Sequence, residues 1–181
     1  MQYFQKLADN VNVLPLLHEL QLQPDLWNEN RLRTSFEASP HKDVSDVWVW
    51  FNSIDPEAVK KTIDDKDVVP YRAWHALPSV RPIVFALMNQ VCGVRLGRVI
   101  ITKLPPGKSI SWHKDGGAPA EYYSRYQVAL QSLPGSLFHI EDETVNFATG
   151  DVWWIDNKAN HSVVNNSKDD RIVMIVDIRN G

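Results

Sequence analysis

The stretch SISWHKD, residues 109–115, decides how this chain is read. It has the texture of a β-strand, in which successive side chains point to opposite faces, so His113 and Asp115, two positions apart, point the same way. An imidazole and a carboxylate on one face are two corners of a metal site. A second His completes the 2-His-1-carboxylate set that holds non-haem Fe(II) with open positions. The best third ligand is His161, in NHSVV, which follows a Gly-Asp turn and a second apolar strand. Ten positions later Arg171 heads the run RIVMIVDI, where a cation is out of place unless it meets an anion.

Outward from this stretch, residues 97–181 read as short strands separated by turn residues, the pattern of an antiparallel sandwich or barrel. Strands are expected at 98–103, 109–114, 125–131, 136–140, 144–146, 151–155, 161–165 and 171–178, with turns at Pro105-Pro106-Gly107, Gly116-Gly117, Pro134-Gly135, Thr149-Gly150 and Asn165-Asn166. The fold class is mainly β: a double-stranded β-helix, or cupin-like jelly roll, with a few packing helices from the N-terminal half.

Alternation assigns faces within it. Tyr126, Val128 and Leu130 share an apolar face, leaving Arg125 and Gln127 to look inward. The same parity puts Ile110 and Trp112 outside and Ser111, His113 and Asp115 inside, and it sends Thr102 inward beside Ile100. A polar, cationic pocket holding Arg125, Gln127, Thr102 and Arg171 suits a dianion, because a guanidinium grips a carboxylate through paired charge-assisted hydrogen bonds. Arg125 also has a plain reading as a sheet-edge arginine, and Thr102 as a β-branched strand residue. Trp153 and Trp154 read as core. His18, His41, His75 and His139 lack a partner pattern and read as surface or satisfied structural histidines.

Ahead of the strands, residues 4–26 read as a short helix plus loop with Pro15 in a first turn, and 27–40 as a polar, turn-rich segment able to reach over a pocket mouth. Residues 46–51, DVWVWF, form a strand with Trp48 and Trp50 opposite Val47, Val49 and Phe51. Asp55-Pro56 starts one helix, and Ser79 caps a second that runs to Cys92 and stops at Gly93.

The 181 residues suit one domain, in which 1–96 supply helices, loops and a supporting strand and 97–181 the jelly-roll core. A formal charge of −3 with scattered basic residues disfavours nucleic acid as a partner. The single cysteine, Cys92, excludes an intrachain disulfide and a thiol-rich zinc site. The N-terminus lacks a secretory signal pattern and no apolar run approaches a membrane span, so a cytoplasmic setting is expected. Nothing in the sequence sets an oligomeric state.

The stretches ITKLPPGKSISWHKD, RYQVALQSLPG, GDVWWIDNKANHSVVNNS and DRIVMIVDIR resemble the Fe(II)- and 2-oxoglutarate-dependent oxygenases, within them the aspartyl/asparaginyl β-hydroxylase-like group. The similarity runs from about Gly97 to Arg179. It implies Fe(II) on His113, Asp115 and His161, Arg171 and Thr102 at the distal carboxylate of 2-oxoglutarate, and Arg125 and Gln127 near its metal-chelating end. The group often has His where Gln127 stands. The resemblance further implies a dioxygenase that uses molecular oxygen, releases succinate and CO2, and hydroxylates an unactivated C–H bond. The expected target is an Asp/Asn-type or related amino-acid side chain in a peptide, protein or small molecule. Tyr122 and Tyr123, in the loop after Asp115, are placed to contact substrate or to pack within a long hairpin. The alternative is a cupin-like isomerase or small-ligand-binding domain without redox chemistry, whose sites more often carry an extra His or Glu beside the first pair; none stands beside His113.

Overall fold

Turn residues and alternating side chains cut the C-terminal half into strands that pair antiparallel in two sheets. The computed structural model describes residues 1–35 and 38–181. In chain order the elements are β1 (Phe4–Ala8), α1 (Leu14–Leu22), β2 (Ser45–Phe51), α2 (Val59–Ile63), β3 (Val69–Pro70), α3 (Arg72–Ala76), α4 (Val80–Gln90), β4 (Gly93–Leu104), β5 (Ser109–His113) and α5 (Gly117–Tyr122). They continue with β6 (Ser124–Gln131), β7 (Ser136–Ile140), β8 (Glu143–Val145), β9 (Val152–Ile155), β10 (His161–Asn165) and β11 (Arg171–Asn180). The larger sheet has the order β1-β9-β6-β11-β4-β2-β3 and the smaller one β5-β10-β7-β8. These are the two layers of a jelly roll.

The larger sheet is apolar on both faces. Val99, Ile101, Tyr126, Val128, Leu130, Met174 and Val176 pack against Leu16 and Leu20 of α1 and Val80, Val84 and Leu87 of α4. On the opposite face Ala129, Trp153 and Ile155 meet Ile110, Phe138, Ile140 and Val163 of the smaller sheet. Phe147 stacks on Trp153 with centroids 5.2 Å apart, and Phe4 meets Phe138 edge to face at 5.7 Å. Each such side chain contributes about 1.5–3 kcal/mol by leaving water. The inner layer thus sets aromatic rings directly beside the polar inward residues, with Phe138 stacked on His161 at 5.8 Å.

The expected strands from residue 97 onward all form. Several details differ. Phe4–Ala8 is not helical: β1 pairs with β9, Phe4 opposite Ile155, as a sheet edge with Gln5 exposed and Lys6 Nζ 2.7 Å from Asp151. The helix of this region starts at Leu14, with Pro15 in its first turn. Asp55 does not cap a helix directly; its Oδ1 accepts from the Glu57 N–H at 2.9 Å in a turn, and α2 begins later, at Val59. Ser79 precedes α4, but its hydroxyl donates to Glu19 at 2.5 Å instead of capping. Cys92, at φ 52°, takes the left-handed residue that ends this segment, and Gly93 already belongs to β4. A Cβ at Gly93 would lie 2.6 Å from Ile178 Cγ2, so glycine is required there by close approach.

Two irregularities overturn the face assignments. In β5 the register slips between the pairs His161↔His113 and Val163↔Ile110, so Ile110 and His113 both face inward while Ser111 and Trp112 are exposed. In β2 the slip between Trp48 and Trp50 brings Trp48 and Phe51 to one face, stacked at 3.9 Å, and sends Trp50 to the other. The segment after Asp115 is the helix α5 and not a hairpin loop. Tyr123 is buried there and its hydroxyl donates to the Lys66 carbonyl at 2.7 Å. Tyr122 lies under the cationic groups of Arg179 and Lys66, so both tyrosines pack in the fold. Of the turn-rich segment 27–40, Phe36 and Glu37 lie outside the described residues.

Candidate metal centre

β5 and β10 lie side by side in the smaller sheet with His113 directly opposite His161, and their ring centroids are 4.2 Å apart. The bulge in β5 is what turns His113 inward. Its Nδ1 lies 2.7 Å from the Ser111 carbonyl, and His161 Nδ1 lies 2.9 Å from the Ala159 carbonyl. A carbonyl only accepts, so each Nδ1 carries the proton and each Nε2 is left with its lone pair. Asp115 follows the end of β5, and its backbone N–H donates to the Asn157 carbonyl at 3.0 Å. One ligand atom from each of His113, Asp115 and His161 lies within 4.8 Å of the others.

Asp115 is held from behind. Oδ2 accepts from Asn157 Nδ2 at 3.0 Å and from Arg125 Nη1, while Oδ1 stands 3.7 Å from His113 Nε2. Arg125 is fixed in turn by Asp177, whose two carboxylate oxygens each accept at 2.8 Å from Nε and Nη2. Burial alone would raise the Asp115 carboxyl, but the charge of Arg125, the nearby histidines and the Asn157 hydrogen bond hold it well below the usual range. Burial lowers His161. A carboxylate and two imidazoles whose Nδ1 atoms are engaged by backbone carbonyls make a donor set that fits a divalent cation with open positions.

Arg171 opens β11 and is 3% exposed. Its Nη2 donates to Gln127 Oε1 at 3.2 Å, and its guanidinium lies near the Phe138 and Phe147 rings, 5.8 and 5.9 Å from their centroids. Among the described residues no carboxylate pairs with it, and burial pushes its pKa down to about 10. Thr102, buried on the neighbouring strand β4, lines the same cavity with Arg171, Gln127 and the three ligand candidates. All seven residues singled out from the sequence thus meet in one place. Arg125 differs from the rest, because its donors are taken up by Asp115 and Asp177.

Three residues of the site gave no signal or an unread one. Asp177 sits in the apolar run of β11 and is as anomalous there as Arg171, so the same reasoning would have found it. Asn157 lies in a turn with no periodicity. His41 packs edge to face on His113 with centroids 5.0 Å apart, and burial pushes it down to about 2. It is neither surface nor satisfied, since Nδ1 has no partner among the described residues.

Residues 61–180 match the sequence profile of the family described as aspartyl/asparaginyl beta-hydroxylase. No curated protein matches the chain. Among solved structures, a prolyl hydroxylase from Trichoplax adhaerens in complex with a hypoxia inducible factor peptide fragment is 13% identical, covering 98% of this chain and 83% of its own, with a TM-score of 0.61. A viral collagen prolyl hydroxylase from Paramecium Bursaria Chlorella virus-1, in its 2OG complex, is 10% identical over 99% of this chain and 96% of its own, with a TM-score of 0.57. A 2OG-Fe(II) oxygenase family oxidoreductase from Burkholderia pseudomallei is 11% identical, with a TM-score of 0.56; the match spans 75% of this chain and 66% of that one. At these identities the structures show a shared fold.

Proposed function

This chain belongs to the aspartyl/asparaginyl β-hydroxylase family of Fe(II)- and 2-oxoglutarate-dependent oxygenases, and on that premise we propose that His113, Asp115 and His161 hold the iron of a hydroxylase acting on an Asp/Asn-type or related amino-acid side chain. In the reaction one atom of dioxygen enters succinate as 2-oxoglutarate loses CO2, and the other enters the substrate C–H bond as hydroxyl. Fe(II), when bound, supplies the redox chemistry that no amino-acid side chain can.

The chain's own residues bind and orient. Arg171, with Thr102 beside it, takes the distal carboxylate of 2-oxoglutarate, and Gln127, which holds Arg171 in place, faces the same cavity. Arg125 and Asn157 orient Asp115, and the Phe138 and Phe147 rings keep water from the buried ion pair. The observation that carries the reading is Arg171: a buried guanidinium with no acidic partner among the described residues, on the wall of the cavity that the three ligand candidates share. Such a charge is costly unless an anion meets it. A peptide or protein substrate is in keeping with the peptide bound to the Trichoplax relative. We also infer one oxygenase unit over the 181 residues, since β1 and β2 both join the sheet that carries Arg171.

Incubation with Fe(II), 2-oxoglutarate and oxygen tests this, with succinate measured alongside one-oxygen mass gains in a panel of acidic and amide peptides and free amino acids. Succinate formation that disappears in Arg171→Ala is expected. Iron-loaded protein that consumes no 2-oxoglutarate with any member of the panel would argue against the assignment.

A further inference from the structure

Side chains at alternate positions of β4 place Thr102, Ile100 and Arg98 along one inner face, and those of β11 place Arg171, Ile175 and Asp177 along another. At roughly 3.3 Å per residue, Arg98 lies on the order of 13 Å from Thr102. The iron site stands between the two ends. Beyond it, a second cavity of about 80 Å³ shares Asp115, Arg125, His41 and Arg33 with the first and is further bounded by Arg98 and Gly116.

Charge pairing singles out Arg98. Asp177 and Asp115 face Arg125, and Asp46 Oδ2 accepts from Arg33 at 3.0 Å. Fe(II), Asp115, 2-oxoglutarate and Arg171 neutralise one another when the site is loaded. Arg98 has no carboxylate in contact among the described residues: Nε donates to Asn52 Oδ1 at 2.9 Å and Nη2 to Asn52 Oδ1 and the Ile63 carbonyl. Its Nη1 makes no hydrogen bond among the described residues. Asn52, itself buried, is locked by donating to the carbonyls of Asp65 and Asp67, at 2.6 and 2.8 Å. The guanidinium is thus rigidly aimed with Nη1 unused.

We propose that the second cavity is the substrate subsite and that it takes an anionic group of the substrate, carboxylate or phosphate, on Nη1 of Arg98 with Arg33 beside it. This rests on the oxygenase reading and narrows its substrate class to acids over neutral amides. The two N–H groups of Nη1 make charge-assisted hydrogen bonds to either anion. The other end of the same barrel meets an anion in the same way, at Arg171.

The test is calorimetric titration of the Mn(II)- and 2-oxoglutarate-loaded protein under argon with N-acetyl-aspartate α-methylamide, inorganic phosphate and N-acetyl-asparagine α-methylamide. At least one of the anions binds, and the one that does identifies the group as carboxylate or phosphate. N-acetyl-asparagine α-methylamide, nearly the same shape without the charge, binds at least about tenfold more weakly. Arg98→Gln weakens the anion by a similar factor. Because Arg98 also ties Asn52 to residue 63, a second pair of variants guards against misfolding: Gly116→Asp and Gly116→Asn. A Cβ at Gly116 meets nothing within 4 Å, so both side chains fit, and only the charged one repels the anion. Equal affinity for acid and amide, no binding of either anion, or an unaltered affinity in Gly116→Asp would overturn the proposal. The visible band of the native Fe(II)–2-oxoglutarate complex is recorded in parallel. Its absence counts against the oxygenase reading, whereas its presence with no discrimination between acid and amide counts against this subsite alone.

Discussion

Replacing Arg171 by Met should stabilise the metal-free protein and cripple it for 2-oxoglutarate. Burial lowers the guanidinium from 12.5 to about 10. At neutral pH the group is protonated in both the folded and unfolded chains, so that depression is a cost to the folded state of about 3 kcal/mol. Met fills a similar volume without the charge. Against this gain stand the lost hydrogen bond to Gln127 and the contacts with Phe138 and Phe147, together about 1–3 kcal/mol. The net lies between neutral and about 2 kcal/mol stabilising, or a rise in Tm of up to about 5 °C for a chain of this size. Binding moves the other way. Taking one partner from a buried ion pair costs about 3–5 kcal/mol, so 2-oxoglutarate should bind at least about a hundredfold more weakly. Thermal melts of the metal-free protein and anaerobic titration of the iron-loaded protein read the two effects. A Tm lowered by several degrees with 2-oxoglutarate affinity unchanged would show that Arg171 is a structural cation.

His41 is buried neutral with its pKa pushed down from 6.5 to about 2, so the unfolded chain takes a proton that the folded one refuses as pH falls below about 6.5. Above that pH the ring is neutral in both chains and the penalty is absent. Between pH 6.5 and 5 it costs the native protein about 2 kcal/mol, which His41→Phe should remove; denaturant unfolding curves that fall in parallel for both proteins would refute it. Asp177→Asn leaves Arg125 without its anchor and frees Asp115 to reorient, so Fe(II) affinity should fall about 10- to 100-fold, as measured by competition with a chelating dye. Unchanged affinity would make the Arg125–Asp177 pair irrelevant to the ligand. Trp112 is 52% exposed on the outer face of β5, so Trp112→Ser should leave iron binding intact and stability within about 0.5 kcal/mol. A larger loss by urea denaturation would mean that the outer face is packed.

What was legible in the sequence followed from periodicity. Tyr126, Val128 and Leu130 alternate without interruption, and β6 presents Arg125 and Gln127 inward as that parity demands. Arg171 was legible for another reason, a charge at the head of an apolar strand. Parity failed at Ile110 and Trp48 because each lies next to a bulge, and a single extra residue reverses every side chain beyond it. The slip at Ile110 left the metal reading intact only because His113 and Asp115 lie together on the far side of it. β1 escaped because a sheet-edge strand with Gln5 turned to water carries a weak apolar signal. His41 and Asn157 reach the site from irregular segments, whose course is set by tertiary contacts and leaves no mark in local spacing.

Fe(II) and then 2-oxoglutarate, added without oxygen to the metal-free protein, should produce the visible charge-transfer band of a 2-oxo acid chelated to ferrous iron, and His161→Ala should abolish it. Iron binding with no band at saturating 2-oxoglutarate would contradict the account and favour a cupin-like site without redox chemistry.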